Sequence, residues 1–144
     1  MLFLLELKMF EQKSYPLERD RDGYYYFSVP FDTTKWGFED AIETSKFSER
    51  LGRGFAFAEL SHPVTDDHQD PRVISARLST IDVNRIMGKI DLVQNNSEGF
   101  KCRITPHGHF AGSLIPSCNY RVAPRVIVDD EGKVIDIVTF DFVL

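Results

Sequence analysis

Short runs of alternating apolar and polar residues, bounded by turn signals, make up most of the chain. They occur at 23–29, 54–60, 72–81, 86–93, 100–104, 120–128 and 134–143. A period of two, rich in aromatic and β-branched residues and punctuated by Gly, Pro and Asp, is typical of β-strands. The pattern therefore predicts a mainly β domain, with its last two strands joined as a hairpin through the turn at 129–132.

One segment follows helical spacing instead. From Phe38 to Leu51 the apolar residues recur three or four positions apart, and acidic side chains occupy other faces. Acidic residues dominate the first half and basic residues the end, as the helix dipole favours, and Gly52 follows as a stop signal. The sequence predicts one main helix here, with a short helical turn near 110–114.

The strand count and the chain length together predict the architecture. Many short strands expose edges unless the sheet curves round on itself, so we expect a small closed or partly closed β-barrel in an α+β domain. The 144 residues suit a single domain, 1–144. Within it, 1–35 forms N-terminal strands or an extension. The apolar start at 2–10 is either a first strand or a segment that docks onto a neighbour.

Composition removes several classes of function. The net charge of −5 with dispersed basic residues argues against nucleic acid as a partner. The apolar start is too short to span a bilayer, so no membrane partner is expected. Cys102 and Cys118 form no CxxC pair, which indicates free thiols in a protein made in the cytoplasm, with no cofactor.

His62 is the first candidate for chemistry. It follows the strand at 54–60 and precedes Pro63, which ends the strand and fixes the backbone. An imidazole held in this way can act as a general base, because it titrates near neutral pH. The alternative is a structural histidine at the end of a strand.

The nucleophile is the open question in the segment before residue 120. Asn119 has no hydroxyl or thiol that a base can activate, whereas Ser117 has one. In an extended segment Ser117 and Asn119 share a face, one pleat apart at roughly 7 Å. Ser117 can therefore reach His62 only if the backbone bulges.

Three further residues are candidates for supporting roles. Arg121 and Arg125 could stabilise developing negative charge, or they could form surface salt bridges. Asp141 could orient an imidazole as the third member of a triad, or it could be an outward polar position between two phenylalanines.

A metal site is a further alternative. His107 and His109 flank a glycine, and an HxH pair on a strand places both rings on one face. With His62 or Asp67 they would supply imidazole and carboxylate ligands. Gly108 after Pro106 more readily marks a turn, so we expect no metal.

Taken in order, the motifs resemble a known family. Five segments are similar to the prohead maturation proteases of tailed bacteriophages. They are LGRGFAFAELSHP at 51–63, RVISARLSTIDVNRIMGKIDLV at 72–93, TPHGHFAGSLI at 105–115, CNYRV at 118–122 and IVTFDFV at 137–143. That family is related to the herpesvirus assemblin peptidases. The resemblance covers 36–144, and its strongest matches are ELSHP and FDFV.

The resemblance implies a prohead-protease-like fold, but it departs from the family at the nucleophile. Matching Arg121 to the Ser-x-Arg motif of the family places Asn119 at the position of the catalytic serine. The expectation is an inactive, multi-copy virion protein that contacts capsid or other head proteins. The rival is an active serine endopeptidase that cleaves scaffold and capsid proteins, with Ser117 as nucleophile and His62 as base. Asp141 or His109 would orient the imidazole, and Arg121 would support the developing charge.

Overall fold

The computed structural model describes residues 14–31, 38–63, 68–109, 111–129, 131 and 134–144. The strands are β1 Tyr15–Pro16, β2 Glu18–Arg19, β3 Tyr25–Pro30, β4 Phe57–Glu59, β5 Ile86–Asn96, β6 Gly99–Pro106, β7 Arg121–Val128 and β8 Val134–Val143. The helices are α1 Phe38–Glu43, α2 Lys46–Arg53, α3 Pro71–Ser79 and α4 Ala111–Ser117. A 3-10 turn, Val83–Arg85, lies between α3 and β5. The strand predicted at 2–10 lies outside the described residues.

The strands form two antiparallel sheets, which confirms a mainly β fold. One sheet has the order β1-β7-β8, and the other has the order β2-β3-β6-β5-β4. The predicted pairing of the last two strands is confirmed, since β7 and β8 run antiparallel from Arg121 opposite Val143 to Val128 opposite Val134. The β5–β6 hairpin forms the centre of the larger sheet.

The two sheets are joined by backbone pairing at both sides, but the described strands do not form a closed barrel. At one side, the segment 15–19 pairs with β7 through Tyr15–Pro16 and then with β3 through Glu18–Arg19. At the other side, Leu60 forms a single parallel bridge with Phe142 of β8. Backbone pairing between the described strands at this side is limited to this bridge because β4 ends at Glu59, although side chains of β8 also bond to β4, as in the hydrogen bond from the Thr139 hydroxyl to the Phe57 carbonyl.

Helix α2 covers the core between the sheets. Phe47 is completely buried and packs edge-on against Phe140, with ring centroids 4.9 Å apart. Phe27 contacts the same ring at 5.1 Å. Burial of aromatic side chains of this size is a dominant stabilising contribution, worth roughly 1.5–3 kcal/mol for each fully buried large side chain.

The helix predicted at 38–51 consists of two helices. Ser45 breaks the run: its backbone is extended, and its hydroxyl accepts a hydrogen bond from the Ser48 N–H as the cap of α2. Gly54, in the left-handed conformation, ends α2. The capping preference of serine outweighs the continuous apolar spacing.

The strand predicted at 72–81 is wrong, because this segment is helix α3. The Asp70 carboxylate accepts a hydrogen bond from the Arg72 N–H, and Pro71 occupies the first turn. Both residues are helix-start signals. Only Leu78 of this helix is buried, so the strand-like alternation does not correspond to a buried face.

Cys102 and Cys118 are both free thiols, as predicted. Cys102 is fully buried on β6, and burial raises the pKa of its thiol to about 12. The helical turn expected at 110–114 is present as α4 and extends to Ser117.

Candidate functional site

Strand β4 places His62 beside the end of β8. β4 pairs with β5 and ends at Glu59; the chain then runs parallel to β8, where Leu60 bridges Phe142. The Ser61 N–H donates to the Phe142 carbonyl at 2.7 Å. Ser61 has a positive φ of 58°, which is rare for a residue with a side chain and marks a sharp change of direction. This turn brings the next residue, His62, back over the sheet.

His62 and Asp141 form a buried pair. The Nδ1 atom of His62 lies 2.8 Å from Oδ2 of Asp141, and the two side chains are 7% and 0% exposed. An ionised carboxylate accepts hydrogen bonds only, so Nδ1 carries the proton in the neutral ring and Nε2 keeps its lone pair. Nε2 is buried and has no hydrogen-bond partner within the described part of the chain. The alternative of an outward Asp141 is therefore wrong.

Arg125 holds the other side of Asp141. Its Nε and Nη2 atoms each donate to one carboxylate oxygen of Asp141 at 2.8 Å, and Nη2 also donates to Glu59 at 2.8 Å. Nη1 donates to the carbonyls of Leu78 and Thr80 at 3.3 and 2.9 Å. The guanidinium is completely buried, so the alternative of a surface salt bridge is wrong for Arg125.

Glu59 completes the buried charge network. One carboxylate oxygen accepts from Arg77 at 2.9 Å, and the other accepts from Arg125 and from the Asp82 N–H at 3.0 Å. Glu59 is fully buried, whereas Arg77 is 30% exposed at its side chain. We call the set Glu59, His62, Arg125 and Asp141 the buried network. Buried charges need such partners, because an unpaired ion loses several kcal/mol of solvation.

The buried network keeps Asp141 ionised. Burial alone would raise the pKa of Asp141, but hydrogen bonds from His62 and Arg125 and the charge of Arg125 lower it below the ordinary value. Burial would likewise lower the pKa of Arg125, yet Asp141 and Glu59 raise it. Asp141 therefore presents a permanent negative charge to the imidazole and fixes its orientation.

His62 lines a small cavity. It has a volume of about 320 Å³ and is lined by Ser14, Ser61, His62, Val143 and Leu144. A larger cavity of about 360 Å³ lies among α1, α2 and the β5–β6 hairpin, with Phe47 and Phe100 in its wall. None of the predicted site residues lines the larger cavity, so the smaller one is the candidate site.

The segment around the expected nucleophile is helical rather than extended. Ser117 is the last residue of α4, and the Cys118 N–H donates to the Leu114 carbonyl at 3.1 Å. The prediction that Ser117 and Asn119 share one face of a strand is therefore wrong. Asn119 is exposed, and the side chain of Ser117 lies outside the described part of the structure.

Arg121 lies at the surface beside the first strand. Its Nε atom donates to the Ser14 hydroxyl at 2.7 Å, and its Nη2 atom donates to the Ser14 carbonyl at 2.9 Å. Sequence reasoning did not select Ser14, since 107 residues separate it from Arg121. Nor did it assign a structural role to Glu59, although a lone acidic residue at the end of an apolar strand is a signal for a buried ion pair.

The histidines of the metal alternative occupy a turn. Gly108 has a φ of 105°, and His107 packs against Phe57 with ring centroids 5.5 Å apart. Asp67 lies outside the described residues. Within the described ranges, no group of three or more His, Cys, Asp or Glu side chains is placed to hold a metal ion.

Comparison with protein-family models, with curated proteins and with solved structures finds no match to this chain. In the described part of the molecule no helix has the length and apolar character needed to cross a membrane. The functional assignment consequently depends on the geometry of the site and on the order of the sequence motifs.

Proposed function

We propose that this chain is a serine peptidase of the phage head-maturation type, acting on scaffold and capsid proteins. The observation that carries the proposal is the His62–Asp141 pair, with its 2.8 Å hydrogen bond, an Nε2 atom without a hydrogen-bond partner among the described residues, and a cavity that His62 lines. A carboxylate that fixes an imidazole so that its second nitrogen can take a proton is the arrangement by which serine hydrolases activate a hydroxyl.

The strand arrangement is compatible with a partly closed barrel of the prohead-protease type. The segment 15–19 pairs with both sheets at one side, and the bridge from Leu60 to Phe142 joins them at the other. The ELSHP and FDFV motifs meet at this bridge, through Leu60 of the first motif and Phe142 of the second. In the proposal, the fold serves to hold His62 over Asp141.

The second candidate is an inactive, multi-copy structural protein of the virion that binds capsid or other head proteins. The observation that favours it is Asn119, which has no nucleophilic group at the position where the resemblance places a serine. In this candidate the buried network is a stabilising element, and His62 is simply one of its members.

Quantitative mass spectrometry of purified particles distinguishes the two roles. For a peptidase we expect trace amounts of the chain, or fragments of it, together with a capsid protein that has been shortened at a defined site. An intact chain in fixed ratio to the major capsid protein, with that protein unprocessed, would overturn the proposed function and support the structural role.

A further inference from the structure

We infer that Ser14, rather than Ser117 or a residue at position 119, is the hydroxyl nucleophile that His62 activates. The inference rests on the proposed function and deepens it, because it names the group that would form the acyl-enzyme. Ser14 and His62 line the same cavity, and they come from segments 48 positions apart that meet at one end of the smaller sheet.

The strand register places Ser14 in line with Asp141. Tyr15 pairs with Val122, so extending the register by one residue sets Ser14 opposite Ala123, which in turn pairs with Asp141. Residues that pair across antiparallel strands project their side chains from the same face. Ser14 and Asp141 thus lie on one face, separated by the small side chain of Ala123.

The spacing across this row suits an imidazole. Two strand spacings amount to roughly 9–10 Å between the backbones of Ser14 and Asp141. An imidazole with a hydrogen bond at each nitrogen can bridge two side chains at this separation, and the His62 ring already bonds Asp141 through Nδ1. Its other nitrogen, Nε2, is buried without a partner in the described residues, and the cavity that Ser14 lines lies beside the ring.

Arg121 prepares the hydroxyl of Ser14. Its Nε atom donates to the Ser14 oxygen at 2.7 Å, which leaves the hydroxyl hydrogen available for Nε2 of His62. The same positive charge favours the negative charge that develops on the serine oxygen as its proton departs. The structure has no hydrogen bond between the Ser14 hydroxyl and Nε2 of His62, and catalytic hydrogen bonds of this kind tighten when substrate binds.

The reaction balances with these groups and water alone. The Ser14 oxygen attacks the peptide carbonyl carbon as its proton passes to Nε2 of His62. The carbon–nitrogen bond then breaks, and the leaving amine takes that proton. Water next attacks the resulting ester, gives a proton to Nε2, and releases the acid as the Ser14 oxygen regains the proton.

The test uses the full-length protein and a fluorophosphonate, which forms a phosphorus–oxygen bond with an activated serine and releases fluoride. We expect one adduct, on the peptide that contains Ser14. The Ser14→Ala variant should carry no adduct, whereas Ser117→Ala and the exposed control Ser28→Ala should label like the unsubstituted protein. Circular dichroism of each variant checks that the fold is retained.

Two results would overturn the inference in different ways. An adduct on Ser117 or Ser61, lost when His62 is replaced, would refute Ser14 but leave the proposed peptidase standing. No adduct on any serine would remove both. An independent check is Ser14→Cys, whose alkylation by iodoacetamide at pH 7 should slow at least tenfold when His62 is also replaced by Ala; equal rates would refute the contact.

Discussion

Replacing Arg125 with methionine is expected to destabilise the protein by about 3–5 kcal/mol, the usual cost of removing one partner of a buried ion pair. The substitution leaves Asp141 and Glu59 completely buried without the guanidinium that donates to both. Because the free energy of unfolding of a domain is only about 5–15 kcal/mol, this loss is a large fraction of the total stability. Urea denaturation, followed by circular dichroism, measures the change.

A surface arginine provides the matched control. Arg53 forms an exposed ion pair with Glu49 on α2, and Arg53→Met should cost no more than about 0.5 kcal/mol. Adding Asp141→Asn to Arg125→Met should recover part of the lost stability, since it removes one of the unpaired charges. Equal denaturation midpoints for Arg125→Met and Arg53→Met would show that the buried network does not stabilise the fold.

Replacing His62 with alanine is expected to slow fluorophosphonate labelling by at least ~100-fold while the protein stays folded, since general-base catalysis contributes about 10²–10⁴. The fold should survive because Asp141 keeps its two hydrogen bonds to Arg125 when the imidazole is removed. The rate of mass increase at pH 7.5, measured on the intact protein, gives the effect directly.

His107→Ala is the control for this loss. His107 is exposed in the turn after β6 and contacts Phe57, away from the buried network, so its labelling rate should match that of the parent. If His62→Ala labels as fast as His107→Ala, then His62 is a structural histidine at a strand end.

The alternating segments of the sequence were sufficient to predict most of the strands. The runs at 86–93, 100–104 and 134–143 correspond to β5, β6 and β8, and each strand buries part of its apolar residues in the core, including Ile90, Ile104 and Ile137. The run at 72–81 failed because Asp70 and Pro71 start a helix there. The apolar pattern of this run fitted both the strand period and the helix period, and the helix-start residues favoured the helix.

The site was only partly predictable for a related reason. Strand β8 is buried along residues 137–142, with β7 and β4 beside it and α2 over it, so alternation does not mark an outer face. Asp141 therefore looked like an exposed position between Phe140 and Phe142. The hydrogen bond that identifies it joins residues 79 apart, a separation that no local pattern reports.

Ser14 was also not predictable from local sequence. Its segment has ordinary composition, and only the pairing of Tyr15 with Val122 brings it to the end of the smaller sheet. The resemblance begins at residue 36, so it could not point to a group in this segment. When the residues of a site come from segments far apart in the chain, they can be identified only from the strand pairing in the three-dimensional structure.

The central claim, that Asp141 holds the lone pair of His62 on Nε2, is tested most directly by long-range ¹H–¹⁵N NMR of the imidazole rings. For the neutral His62 ring we predict the tautomer that carries its proton on Nδ1 with Nε2 bare, and loss of this preference in Asp141→Asn. A ring protonated on Nε2, or one averaged between both tautomers, would contradict the account.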